Sequence, residues 1–89
     1  MTEMTEKDFE EAFACSKTYI QKDPHAISLW FVKRKRIRMY SKDLKLLQIR
    51  VTQGIYFAEL PKDVTYLRWT ECVNGKKRKY KCTLNKLRG

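Results

Sequence analysis

From residue 30 to residue 40 the chain reads Trp-Phe-Val-Lys-Arg-Lys-Arg-Ile-Arg-Met-Tyr, with Arg34, Arg36 and Arg38 at every second position and Ile37 and Met39 between the last of them and beyond. Side chains alternate between the two faces of a strand, so this spacing separates guanidinium groups from apolar groups only when the backbone is extended. A helix would scatter both sets around its circumference. The segment therefore predicts a β-strand with one cationic face and one largely apolar face, on which Lys33 and Lys35 fall near the edge, and any fold built on it must turn the arginines away from the core.

The neighbouring residues supply partners for that strand. Ser41-Lys42-Asp43 reads as a turn between strands over 31–40 and 44–52, rich in the residues that suit a pleated surface. Pairing Tyr40 with Leu44 collects Phe31, Ile37, Met39, Leu47, Ile49 and Val51 on one face. The other face then carries Arg34, Arg36, Arg38 and Arg50, beside Trp30 and Tyr40. A slip by one residue would carry guanidinium groups into the core. Gln53-Gly54 breaks the pattern, and residues 55–60 read as a third strand ended by Pro61.

Upstream, Thr5-Glu6-Lys7-Asp8 has the form of a helix start, with Thr5 as N-cap and acids in the first turn. Phe9, Phe13 and Ile20 share one face at helical spacing, which predicts an amphipathic helix over about 5–22 that stops near Asp23 because Pro24 follows. The C-terminal third admits two readings. Asn74-Gly75 between β-rich flanks signals a type I′ hairpin that sets Trp69 opposite Tyr80, Leu67 opposite Cys82 and Glu71 opposite Arg78, and gathers Arg68, Lys77, Lys79 and Lys81 on one face. Alternatively Asp63 caps a helix over 64–73 with Gly75 just past its end. Thr65, Tyr66, Trp69, Thr70 and Val73 are poor helix formers, so local propensity favours the hairpin.

The expected fold is α+β: an N-terminal helix packed on an antiparallel sheet of three to five strands over about 29–84, with a second C-terminal helix as the alternative to the last hairpin. A chain of 89 residues makes one domain, 1–89, and buries only about 60–65% of the surface its unfolded form exposes, too little to house a deep catalytic cleft.

Charge is placed unevenly. Residues 1–23 hold six acids against three bases, whereas the remaining 66 residues hold 17 bases and four acids, for a total of +10. A basic body of this kind is tolerated most easily against a polyanion. Arginines at alternate strand positions stand about 7 Å apart, comparable to the phosphate spacing along a nucleic-acid strand. Arg34, Arg36, Arg38 and Arg50 are the first candidates for backbone contact, Arg68, Lys77, Lys79 and Lys81 the second group, and Trp30, Tyr40 and Tyr66 are candidates for stacking on exposed bases. Core packing is the reading for Trp69 and Tyr80, and Lys76 to Lys79 also fit a nuclear-localisation patch. The predicted helix is acidic, so no basic element is shaped for a DNA major groove, and a cationic sheet suits folded RNA better.

Other chemistry finds little support. His25 is the only histidine, expected at a surface turn after Pro24, and no Cys-x-x-Cys or His-x-x-x-His pair is present to build a tetrahedral metal site. Gly54, Gly75 and Gly89 form no phosphate loop. No cofactor, metal or small-molecule substrate is expected, and the chain is read as a non-enzyme. Cys15, Cys72 and Cys82, an odd number in no paired pattern, suggest reduced thiols. The first eleven residues are acidic without an apolar core, unlike a signal peptide, and no apolar run reaches the roughly 18 residues of a membrane span. The expectation is a soluble, cytoplasmic protein, with passage through the nucleus or nucleolus compatible.

Phe9-Glu10-Glu11, Asp23-Pro24 closing the helix, Met39-Tyr40 in the first strand, Arg50-Val51-Thr52 ending the second and Asp63-Val64 opening the last element resemble the Alu-RNA-binding family of the signal recognition particle, in particular its smaller heterodimer subunit. The resemblance implies a basic concave sheet that binds Alu-type RNA beside a partner subunit, and a C-terminal helix. The segment after Pro24 is several residues longer than the family's, and a small ribosomal protein would account for the same residues. The function expected is non-catalytic binding of structured RNA within a ribonucleoprotein, alongside other protein subunits. The alternative is a viral or regulatory interaction protein whose basic face meets an acidic protein partner.

Overall fold

The strand predicted from the arginine alternation is present as β3, Ile27–Tyr40, the longest element of a computed structural model that describes residues 5–15, 19–23 and 26–84. Both its edges are occupied. β4, Leu46–Tyr56, runs antiparallel along one edge; the other is shared by β2, Ile20–Lys22, opposite residues 27–29, and β5, Tyr66–Val73, opposite residues 38–40. β6, Lys76–Thr83, pairs with β5, and the two-residue β1, Ala14–Cys15, joins β6 in parallel. With helix α1, Glu6–Ala12, this curled sheet makes an α+β fold.

Alternation along β3 does what its sequence demands. Leu29, Phe31, Ile37 and Met39 are buried in the main core with Ile55, Leu67, Trp69, Cys82 and Leu84, closed over by Phe57, Leu60 and Val64 from the β4–β5 link. The opposite face carries Arg36 and Arg38. The C-terminal third is the hairpin, in the expected register: Trp69 faces Tyr80, Leu67 faces Cys82 and Glu71 faces Arg78. Asn74 and Gly75 have φ of 52° and 78°, the pair of positive values a type I′ turn requires. This hairpin stands where the signal-recognition-particle resemblance implies a helix. Cys72 and Cys82 are thiols at different rungs of it, Cys72 opposite Lys77.

Four sequence expectations are corrected. The helix spans Glu6–Ala12 rather than 5–22. Its start is as expected, with the Thr5 hydroxyl accepting from the Asp8 N–H at 3.1 Å and the Asp8 carboxylate accepting from the Thr5 N–H. It ends because Phe13 adopts an extended conformation (φ −130°, ψ 131°) and the next two residues pair with β6; Cys15, Tyr19 and Ile20 are weak helix formers that strand pairing recruits. Pro24 and His25, expected to end the helix and form a surface turn, lie outside the described residues.

The second and third corrections concern β4. Residues 55–60 are not a third strand: Ile55 and Tyr56 complete β4, and Phe57–Glu59 form a short 3₁₀ turn. Gly54 does not break the strand either. It lies opposite Trp30, and a Cβ there would sit 2.4 Å from the indole ring, so glycine lets the ring lie on the backbone. The Trp30 Nε1 donates to Ser28 Oγ at 2.7 Å and the ring meets Tyr56 edge-on, which holds it there.

The fourth is register. Tyr40 pairs with Leu46, not Leu44, because the turn is longer than three residues: Leu44 takes a left-handed conformation (φ 62°), and the Ser41 N–H donates to the Lys45 carbonyl. Past a bulge, Ile37 lies opposite Arg50, Arg38 opposite Ile49 and Arg36 opposite Val51. Arg50 has thus moved to the apolar side, while Ile49 and Val51 stand with the arginines. A second irregularity, where residues 31–34 face Gln53, shifts the register again, so that Trp30 lies opposite Gly54 and Leu29 opposite Ile55.

Two outcomes test this account. Gly54→Ala should destabilise the fold by about 1–3 kcal/mol through the displaced indole, and a Trp30→Ala background should remove most of that loss; urea unfolding of the four proteins measures the coupling. Tyr19, packed on Phe31 and Trp69, has its phenol pKa pushed up to about 12, first by hydrogen bonding to Glu71 and then by burial. Because the folded value lies above the unfolded one of about 10, its contribution is complete below that pH and is lost as pH rises towards 12. Tyr19→Phe should flatten that part of the alkaline decline in unfolding free energy, measured across the same window.

Candidate nucleic-acid interface

The cationic face is built from three strands in register. Arg36 and Arg38 come from β3. β5 and β6 add Arg68 opposite Lys81, Thr70 opposite Lys79, and Cys72 opposite Lys77, while Arg38 and Arg68 are direct neighbours across the β3–β5 pair. Like charges set opposite one another disfavour a sheet. What accommodates them here is the helix, which packs on this face and not on the main core.

Phe9 and Phe13 of the helical segment are buried against Tyr40 and Tyr66, with Phe9 at 5.6 Å and 5.1 Å from those rings, centroid to centroid. The phenylalanines also meet cations. The Arg68 guanidinium lies 4.8 Å from the Phe13 ring centre and 5.4 Å from that of Tyr40, and the Lys81 ammonium lies 5.5 Å from that of Phe9. Acids on the helix complete the cover: Glu10 forms an ion pair with Lys81, and the Tyr66 hydroxyl donates to Glu6 at 3.1 Å. Burial, and then the nearby charge of Arg38, lower the pKa of Arg68, while Tyr40 opposes the shift. Burial leads the causes raising the phenol pKa of Tyr66, followed by its bond to Glu6.

The helix therefore divides the residues predicted to meet RNA. Lys81, at 2% exposure, is committed to Glu10. Tyr40 and Tyr66 are buried beneath Phe9, so neither offers a ring for base stacking. Arg50 is on the opposite face, as the register requires. These four are corrected as direct contacts. Arg34 is exposed in the bulged segment, and Trp30 is partly exposed beyond the bulge, against Gly54 and Tyr56. Lys77 and Lys79 are exposed on β6, with Lys79 also 5.7 Å from the Phe13 ring centre.

What remains together is Arg36, Arg38 and Arg68, which with Trp69 and Thr70 line an open depression of about 180 Å³ on the sheet. None of the three guanidinium groups is within ion-pair distance of a carboxylate among the described residues; Lys81 pairs with Glu10 and Lys35 with Glu71. Guanidinium groups bind phosphate oxygens in a two-pronged fashion, and a hydroxyl such as that of Thr70 adds a donor. Sequence reasoning missed Thr70, whose place follows only from the hairpin register, and missed that an acidic helix would lie across the basic face. Among the described residues no three His, Cys, Asp or Glu side chains cluster closely enough to hold a metal ion, and no helix is long and apolar enough to cross a membrane. No family model, curated protein or solved structure matches the chain.

The Lys81–Glu10 pair yields a contrast between two substitutions. Glu10→Gln leaves a buried ammonium without its counter-charge and should cost about 1–2 kcal/mol, below the value for a fully buried pair because Glu10 itself reaches solvent. Lys81→Met, which removes the buried charge and keeps the volume, should be close to neutral. Thermal unfolding of both variants checks the order.

Proposed function

We propose that this chain binds structured RNA without catalysing a reaction on it, as a protein component of a ribonucleoprotein, through the sheet face of Arg36, Arg38, Arg68, Thr70, Lys77 and Lys79. One observation carries the reading: three arginines converge on an open depression with no acid among the described residues to neutralise them. A fold that places like charges side by side on a rigid sheet is best satisfied by an external anion, and a row of phosphates is the polyanion that matches the strand repeat.

RNA is preferred to duplex DNA for a reason the helix supplies. Helix α1 carries Glu6, Asp8, Glu10 and Glu11, so the one helix among the described residues is unsuited to a phosphate-lined major groove. The cationic surface is instead broad and sheet-borne, which favours recognition by shape and backbone. Arg68 is the anchor of the set, since Phe13 and Tyr40 hold its guanidinium in place before any ligand arrives.

The test is a filter-binding comparison of a structured RNA, a DNA duplex and an acidic polypeptide at physiological salt. RNA should bind tightest. Arg36→Ala and Arg38→Ala should each weaken it about tenfold and reduce the slope of log K against log salt by about one, with the melting temperature nearly unchanged. Arg50→Ala, on the far face, should leave RNA affinity alone. Equal affinity for RNA and the acidic polypeptide would end the proposal.

A further inference from the structure

The sheet finishes differently at its two sides. At the β6 side, Lys76, Lys77, Arg78 and Lys79 occupy the run of strand that β1 leaves uncovered, and charged side chains, lysine above all, are the usual guard against another strand adding there. The β4 side has no such guard. Among the described residues β4 pairs with β3 alone, so the outer edge of an 11-residue strand is unmatched. Along it Leu46, Leu47, Ile49 and Val51 are 46%, 43%, 46% and 50% exposed, and Arg50 is the single charge in the strand.

We propose that the outer edge of β4 is a docking site for an extended segment of a partner protein, added to the sheet as a further strand, in which apolar residues alternate with acidic ones. The two faces of β4 specify this chemistry. Ile49 and Val51 project on one side and Gln48, Arg50 and Thr52 on the other, as their pairing with Arg38, Arg36, Met39, Ile37 and Lys35 fixes. An added strand therefore meets aliphatic groups at alternate positions and a cation between them. An acid opposite Arg50, with Lys45 at the start of the strand, completes the match.

A second copy of the chain is the poorer occupant. Residues 45–56 contain no Asp or Glu, so an identical strand offers Arg50 no counter-charge, and it arrives attached to a net charge of +10. The site adjoins the proposed RNA contacts without sharing a residue with them: Ile49 and Val51 lie opposite Arg38 and Arg36, whereas Arg50 stands on the other face.

The probe is an acetylated peptide of about nine residues, a usual strand length, with valine and glutamate alternating. Controls replace every glutamate by lysine, or the central valine by proline. Titrated into the full chain and followed by anisotropy, the glutamate peptide should bind at least about tenfold tighter than either control. Backbone amide protection should appear along Leu46–Tyr56. Ile49→Lys should remove binding while the variant melts like the parent, as its site is half-exposed. Arg50→Glu should reverse the preference towards the lysine peptide. Equal binding of the glutamate and lysine peptides would overturn the proposal. So would retained binding in Ile49→Lys, or loss in Lys77→Ala with Lys79→Ala, which would place the peptide on the RNA face. If sedimentation showed the unliganded chain to be a dimer split by Ile49→Lys, the occupant would be a second copy and the assignment would fall.

Discussion

Everything in this fold hangs on the two-sidedness of β3. Its alternate residues Leu29, Phe31, Ile37 and Met39 are the floor of the main core, and both its edges are paired, so the strand can neither rotate nor slip without burying arginine. The cationic face is thus a consequence of core formation. Apolar burial on one side fixes Arg36 and Arg38 on the other, and the hairpin brings Arg68 and Lys81 alongside because Leu67, Trp69 and Cys82 must reach the same core.

That arrangement creates an electrostatic problem which the helix solves in part. It is too short to be stable by itself. It is held by Phe9 and Phe13, whose rings take the charge of Arg68 and Lys81 on their faces while Glu10 neutralises Lys81. The cover stops short of Arg36, Arg38 and Thr70, so the uncompensated charge is concentrated at one depression. The acidic start and basic body seen in the composition thus meet at the Glu10–Lys81 pair.

Much of this was legible from local pattern. β3 and the Asn74-Gly75 hairpin follow from alternation and from a turn whose dihedral demands only certain residues meet, and these placed Arg36 with Arg38 and, separately, Arg68 with Lys77 and Lys79; that the two groups share a face follows only from the β3–β5 pairing. The Thr5 cap was legible for the same reason. The β4 register was not, because it depends on Leu44 adopting a left-handed conformation that its side chain gives no cause to expect. With it went Arg50, Ile49 and Val51. Nor does a helix's apolar stripe say which face of a sheet it will choose, and that choice removed Lys81, Tyr40 and Tyr66 from the accessible surface.

The irregularity at residues 31–34 has a bearing on how the sheet moves. It splits the β3–β4 ladder into a block of residues 35–40 with 46–52 and a block of residues 28–30 with 54–56, the first tied to β5, the second to β2. Fraying that begins at the Ser41–Lys45 turn meets a natural stop before Trp30 and Gly54. Both blocks hold core residues, Ile37 and Met39 in the first and Leu29 and Ile55 in the second, so loosening of the first opens the core beside β5 while the second stays paired to β2.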